Sequence, residues 1–290
     1  MSGMALGLVL AAAFLHATWN YLTKRSQVKL IFVWWFLFIS GILYFPLFLY
    51  FWNQTTITSI GWTCIIATSI LHAFYFGFLG MAYEVGDLSV VYPLARGMGP
   101  FFVPFFAVGL IQEQLSLLGI LGIGLIVLGV YVLHLTSFSW KTFLLPFHML
   151  KSRSSLWALG TGGTIVFYSL VDKIGVSNVY PPVYIYLMFA GAFILLSPYV
   201  LLKKRVFLME EWQKNKYAIL TVGFLALFTY LLVLFAMQMS KVSYIVALRE
   251  SGILFSALYG TFWLRESHRD QKIVGAILIF LGVFSIGLSR

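Results

Sequence analysis

Long apolar runs broken by short polar connections set the pattern of the chain. Ten runs near membrane-crossing length can be marked, at 4–23, 30–52, 60–83, 89–111, 116–135, 156–171, 181–202, 217–239, 243–264 and 272–288. A helix needs about 17–25 apolar residues to cross hydrocarbon. Inside a bilayer the backbone must satisfy its own polar groups, so only helices and closed barrels span it. The alternating ten-residue stretches of a barrel are absent. The pattern predicts an all-α membrane protein with ten transmembrane helices, helices 1 to 10, and no soluble domain.

The pattern also repeats. Leu88 to Phe102 reads LSVVYPLARGMGPFF and Val242 to Ser256 reads VSYIVALRESGILFS, which sets Arg96 and Arg249 153 residues apart. At the same offset GIGLIVLGVY, from Gly122, and GAILIFLGVF, from Gly275, agree at six of ten positions. These matches divide the chain into two five-helix repeats, 1–139 and 152–290, with the seam in the polar stretch 136–155. An odd number of crossings sends the second copy through the membrane in the opposite sense. Two inverted repeats about a pseudo-two-fold axis in the membrane plane follow, a sequence pointer to a carrier's binding site.

Composition narrows the class. The chain is 61% apolar and only 10% charged, against about 25% charged in soluble domains. The net charge of +10 reports orientation and not nucleic acid. Of the nineteen Lys and Arg, fourteen fall in the 1–2, 5–6, 7–8 and 9–10 loops, from Lys24 and Arg25 through Lys203–Arg205 to Arg269 and Lys272. Basic loops stay cytoplasmic, so both termini are expected outside. Nothing basic precedes the first run, and Lys24 and Arg25 follow it, so it reads as a retained helix and not a signal peptide. The single cysteine, Cys64, allows no disulfide within the chain and no zinc spacing, and packing is its expected role.

A charge at the centre of a membrane helix costs roughly 2.5–3.5 kcal/mol on the insertion scale, so intramembrane arginines need a reason. Arg96 lies some 12 Å into helix 4 at 1.5 Å per residue, beside Pro93, Gly97 and Pro100, which predict a kink or gate in a cavity wall. Arg249 and Glu250 are adjacent and point about 100° apart. Glu250 stands near Arg96's place in the other copy, so an Arg96–Glu250 pair would leave Arg249 for a ligand anion; a purely structural clasp is the alternative. His16, Trp19 and Asn20 share one face of helix 1, and His72, Tyr75 and Phe76 one face of helix 3. Tyr230 and Gln238 join them from helix 8. Cavity lining and interhelical packing are both open to these sets, and His16 is the candidate for a coupling proton. Glu84, Asp87 and Glu113 read as solvated acids at segment ends, and the adjacent Asp172 and Lys173 as a polar cap ending helix 6. Gly160, Gly162 and Gly163 read as a small-residue packing face.

Several of these residues also carry a likeness. His16-Ala17-Thr18-Trp19-Asn20 with Lys24, Tyr92-Pro93-Leu94-Ala95-Arg96-Gly97 with Pro100, Asp172-Lys173, Val242-Ser243-Tyr244, Leu248-Arg249-Glu250-Ser251 and Leu264-Arg265-Glu266 occur in order. In this the chain resembles the EamA-type members of the drug/metabolite transporter superfamily, over essentially its whole length. The resemblance implies a carrier working by alternating access, with helices 1, 3, 4, 6, 8 and 9 around a central cavity and helices 5 and 10 outside it. It also implies cytoplasmic termini and a basic 2–3 loop. Here that loop, 53–59, is uncharged, and the loop charges point the other way.

The expected function is export of a small polar or amphipathic metabolite across a bacterial inner membrane. Uptake of a small organic anion is the alternative. The expected partners are the substrate, the lipid bilayer and a coupling proton, on a monomer or homodimer; no cofactor, metal or nucleic acid is implied. An enzyme would have to assemble His16, Asp172 and His268 from unrelated segments, and neither a phosphate-cradling glycine loop nor His-Glu-x-x-His occurs.

Overall fold

The computed structural model describes residues 1–24, 26, 28–85, 88–135, 137–140, 142–144, 152–255 and 269–289, with side chains except at 24, 83–85, 88–94, 154 and 269. No strand occurs among the described residues. The first repeat contains α1 (Gly3–Lys24), α2 (Lys29–Trp52), α3 (Ser59–Val85), α4 (Leu88–Phe106) and α5 (Leu117–Leu133). The second contains α6 (Arg153–Asn178), α7 (Pro181–Lys203), α8 (Leu208–Met239), α9 (Val242–Arg249) and α10 (Arg269–Leu288). After a turn, α9 resumes over 252–255. The rest of its apolar run lies outside the described residues, as do Asp87, Leu264-Arg265-Glu266 and His268. This is a multi-pass integral membrane protein. Among the described residues six helices are long and apolar enough to cross a membrane: α1, α2, α3, α7, α8 and α10. The described apolar stretches Ala95–Ile111 and Leu117–Leu133 are shorter.

Local chemistry sets the helix ends. Ser116 and Ser152 accept from the backbone N–H groups of Gly119 and Ser155, capping α5 and α6. Pro181 and Pro182 open α7, where the missing N–H costs nothing. Helix α4 is continuous through Pro93, Gly97 and Pro100. The departure from α geometry comes later, in a π turn over Ala107–Ile111, which ends at the left-handed Gln112 (φ 58°).

The sixth apolar run is corrected. Helix α6 does not end at Asp172 and Lys173; it continues to Asn178. Hydropathy stops where the charges begin, but both charges are hydrogen-bonded within the bundle, so the helix has no reason to end there. Lys173 donates from Nζ to the carbonyl oxygens of Met237 (2.5 Å) and Ser240 (2.8 Å), the last turn of α8. There a cation meets the negative end of the helix dipole. Glu113 is corrected too. It is no solvated loop acid, because its carboxylate accepts from the backbone N–H of Val242 at 2.6 Å and from the Ser243 hydroxyl at 2.7 Å, capping α9.

Packing between the repeats obeys exchange of each helix with the one five places later. Helix α1 packs on α8 as α6 packs on α3, and α2 on α8 as α7 on α3; α2–α7, α4–α9 and α5–α10 pair with themselves. The α5–α10 pair is built on glycine. A Cβ placed on Gly122 would lie 2.8 Å from the carbonyl oxygen of Gly282, and one on Gly129 the same 2.8 Å from that of Gly275. Only bare backbone allows so close a crossing. Because 122 meets 282 while 129 meets 275, the two helices run antiparallel. The glycines that reveal the repeat in sequence therefore also reverse it in space.

Candidate functional site

A cavity of about 50 Å³ opens between the repeats. Helix α1 contributes Ala12, Ala13, His16 and Trp19, α3 contributes His72, Tyr75 and Phe76, and α8 contributes Ala226, Thr229, Tyr230 and Val233. Tyr168 of α6 and Arg249 of α9 complete its polar lining, and Phe36 of α2 and Phe189 of α7 add apolar walls. Among the described side chains α4 contributes none, contrary to what the resemblance implies; α5 and α10 lie outside.

The walls are aromatic. His16 meets Trp19 edge-on with centroids 4.8 Å apart, and His72 stacks on Tyr168 at 4.2 Å. The guanidinium of Arg249 lies over the face of Tyr230, 5.2 Å from its centroid, where the ring quadrupole attracts a cation. The Thr229 hydroxyl is buried and has no hydrogen-bond partner among the described residues.

Of the residues singled out from sequence, His16, Trp19, His72, Tyr75, Tyr230 and Arg249 come together around this space. Asn20, Arg96 and Glu250 do not line it. Arg96 Nε lies 3.4 Å from Glu250 Oε2, and both side chains are buried. Adjacent helical residues diverge, so Glu250 turns to Arg96 while Arg249 turns to the cavity. Gln238 lies away from the site and donates to the carbonyl oxygen of Val176 at 2.8 Å. Of the three residues of the enzyme alternative, His268 lies outside the described residues.

One carboxylate was misread from sequence. Asp172 is fully buried. Its Oδ1 accepts from Thr68 Oγ1 at 2.6 Å and from the Tyr184 hydroxyl at 2.8 Å, and its Oδ2 accepts from the Tyr230 hydroxyl. Gly175, one turn on, makes the room for Tyr184: a Cβ there would lie 2.6 Å from its hydroxyl oxygen. Thr68 and Asp172 each stand one helical turn from a cavity residue, His72 and Tyr168, but nothing in the sequence marks Thr68 itself, and Tyr184 looks like one aromatic among 16 tyrosines. The usable signal was a carboxylate inside an otherwise apolar neighbourhood, at a depth where none is expected.

Comparison with known proteins followed from this geometry. A family model described as the EamA-like transporter family matches residues 3–135 and 152–288. A protein of known crystal structure superposes with a TM-score of 0.74 at 16% identity, over 99% of this chain and 98% of its own. That likeness concerns the fold. No curated protein gives a match.

Proposed function

The chain belongs to the EamA-like transporter family, and from that premise we propose that it carries a small amphipathic organic anion across the membrane by alternating access. Ten transmembrane helices in two inverted repeats would form the carrier, with the cavity between them opening to each side in turn. The observation that carries this reading is the division of labour between the arginines. Arg96 is neutralised by Glu250, whereas Arg249 lies in the aromatic cavity, over the Tyr230 ring. An arginine in such a place offers a planar pair of donors to a carboxylate or phosphate. Trp19, Tyr75 and Tyr168 offer stacking faces for an apolar body, and the Thr229 hydroxyl offers one further polar contact.

Ligand pockets usually span about 300–1,000 Å³, so a cavity of about 50 Å³ corresponds to a state collapsed around its lining. Substrate would bind in a more open state and pass through this one. Direction follows the gradients, so export and uptake are the same chemistry run opposite ways.

Purified protein in liposomes should move labelled aromatic or aliphatic carboxylates from a panel that also holds nucleosides, neutral amino acids and cationic dyes. Arg249→Ala should lower the flux by at least tenfold, and Arg249→Lys nearly as much, because lysine keeps the charge but loses the fork. Transport of cations alone, indifferent to Arg249, would overturn the anion reading. Hydrolysis of a panel compound without transport would favour an enzyme.

A further inference from the structure

We infer that Asp172 is the proton-binding site of this carrier, reached from the cavity through His72 and Thr68. The inference rests on the carrier reading above and adds to it the ion that is moved.

The geometry is a sealed carboxylate with one imidazole route to the cavity. Asp172 has no solvent exposure, and three hydroxyl groups donate to its two oxygens. All three hydroxyls can donate to the carboxylate, and a protonated carboxyl fits the same positions if one of them turns to accept. No cation pairs with it among the described residues. The three hydroxyl donors favour the charged form and burial away from water opposes it, so two effects act against each other on this one group.

The hydrogen-bond directions define the path. His72 Nδ1 lies 2.9 Å from the carbonyl oxygen of Thr68 and 3.1 Å from its Oγ1. A carbonyl only accepts, so Nδ1 carries the proton. Thr68 Oγ1 spends its own hydrogen on Asp172 and can accept from Nδ1. Nε2 is left for the cavity that His72 lines. A proton arriving at Nε2 makes His72 cationic. Nδ1 gives its proton to Thr68 Oγ1 as Oγ1 gives its own to Asp172 Oδ1, leaving neutral His72 protonated at Nε2. One proton has moved from cavity to carboxylate, the threonine hydroxyl is restored, and the same steps reversed release it. Tyr230 also touches both cavity and Asp172, but a phenol holds its proton at neutral pH, where imidazole exchanges its own readily.

The groups facing Asp172 set the consequence. Cys64 and His72 face it from α3, Tyr184 from α7 and Tyr230 from α8; Tyr168 shares its helix, and Lys173 turns to the end of α8. Beyond Tyr230 stands Arg249. Protonation removes the negative charge behind the Tyr230 ring and so leaves the charge of Arg249 less opposed. Proton and anion therefore favour each other's binding, which makes the carrier a symporter.

Infrared difference spectra of the full chain in liposomes test this without a substrate. A buried carboxylic C=O band should appear when the unmodified protein is acidified. It should vanish in Asp172→Asn and persist in Glu250→Gln. After a pH jump its rise should slow at least tenfold in His72→Ala. If Asp172→Asn does not fold, Asp172→Glu should shift the band instead. A band absent from the unmodified protein, unchanged by substitution at 172, or equally fast in His72→Ala overturns the proposal. The liposome flux panel stands apart from this result: a titrating band with no flux rejects the carrier and keeps the proton site. Flux with no such band does the reverse.

Discussion

At the residue scale, the two intramembrane arginines show how much one position can hide. Their depth and repeat spacing were visible in sequence, and so was the option of pairing Arg96 with Glu250. What was not visible was which arginine the cavity would take, because that depends on the 100° between neighbouring helical side chains and on where α4 meets α9. Asp172 was misread for a related reason. Beside Lys173 it looks like a solvated end, and the hydroxyls that hold it come from α3, α7 and α8. The Arg96–Glu250 pair allows a direct check. Glu250→Gln alone removes the carboxylate that faces Arg96 and should destabilise the protein by about 3–5 kcal/mol. Adding Arg96→Met should restore most of that loss, with a coupling energy well above the ~0.5 kcal/mol scatter of independent sites. Thermal melts of the two singles and the double provide the measurement. A double variant that is stable and still transports removes Arg96 from substrate contact.

At the element scale, seven of the ten apolar runs reappear as helices with ends close to those read from hydropathy. The exceptions obey one rule: hydropathy stops at a charge, and a helix stops only when its backbone bonds have nowhere to go. Helix α6 continues past Asp172 and Lys173 because both find partners. Helix α8 starts at Leu208, well before residue 217, on an amphipathic turn in which Asn215 donates to Glu211. The ninth run is described only through residue 255. The α5–α10 crossing carries a sharp test. Gly129→Leu pushes a Cβ to 2.8 Å from the Gly275 carbonyl oxygen and within 3 Å of Ile279, so the helices must part. Overpacking of this kind costs about 1–3 kcal/mol or more, and the melting temperature should fall by several degrees. Gly124 has nothing within 4 Å of its Cβ position. Gly124→Ala on the same helix should leave stability unchanged or raise it by about 1 kcal/mol.

At the scale of the whole molecule, the repeat was the strongest signal in the sequence, and the fold turns it into function. Six shared residues in ten between Gly122 and Gly275 become an antiparallel glycine crossing outside the cavity. The paired packing of α1 with α8 and of α3 with α6 places one wall from each repeat around the same space. Two equivalent arrangements of such walls, one open to each side, are what alternating access requires. The surroundings of the cavity are not symmetric: Asp172 has no carboxylate counterpart near residues 18 and 19, so the two copies differ at this buried group.

The decisive measurement asks whether that space opens to both sides. Cys64 is the sole cysteine, so Cys64→Ser with Ala226→Cys places one thiol on the cavity wall. In sealed right-side-out and inside-out vesicles, a membrane-impermeant maleimide should label position 226 from either face, and labelling from one face should fall when the protein is held open to the other. Labelling from one face only, under every condition, would contradict a carrier that works by alternating access.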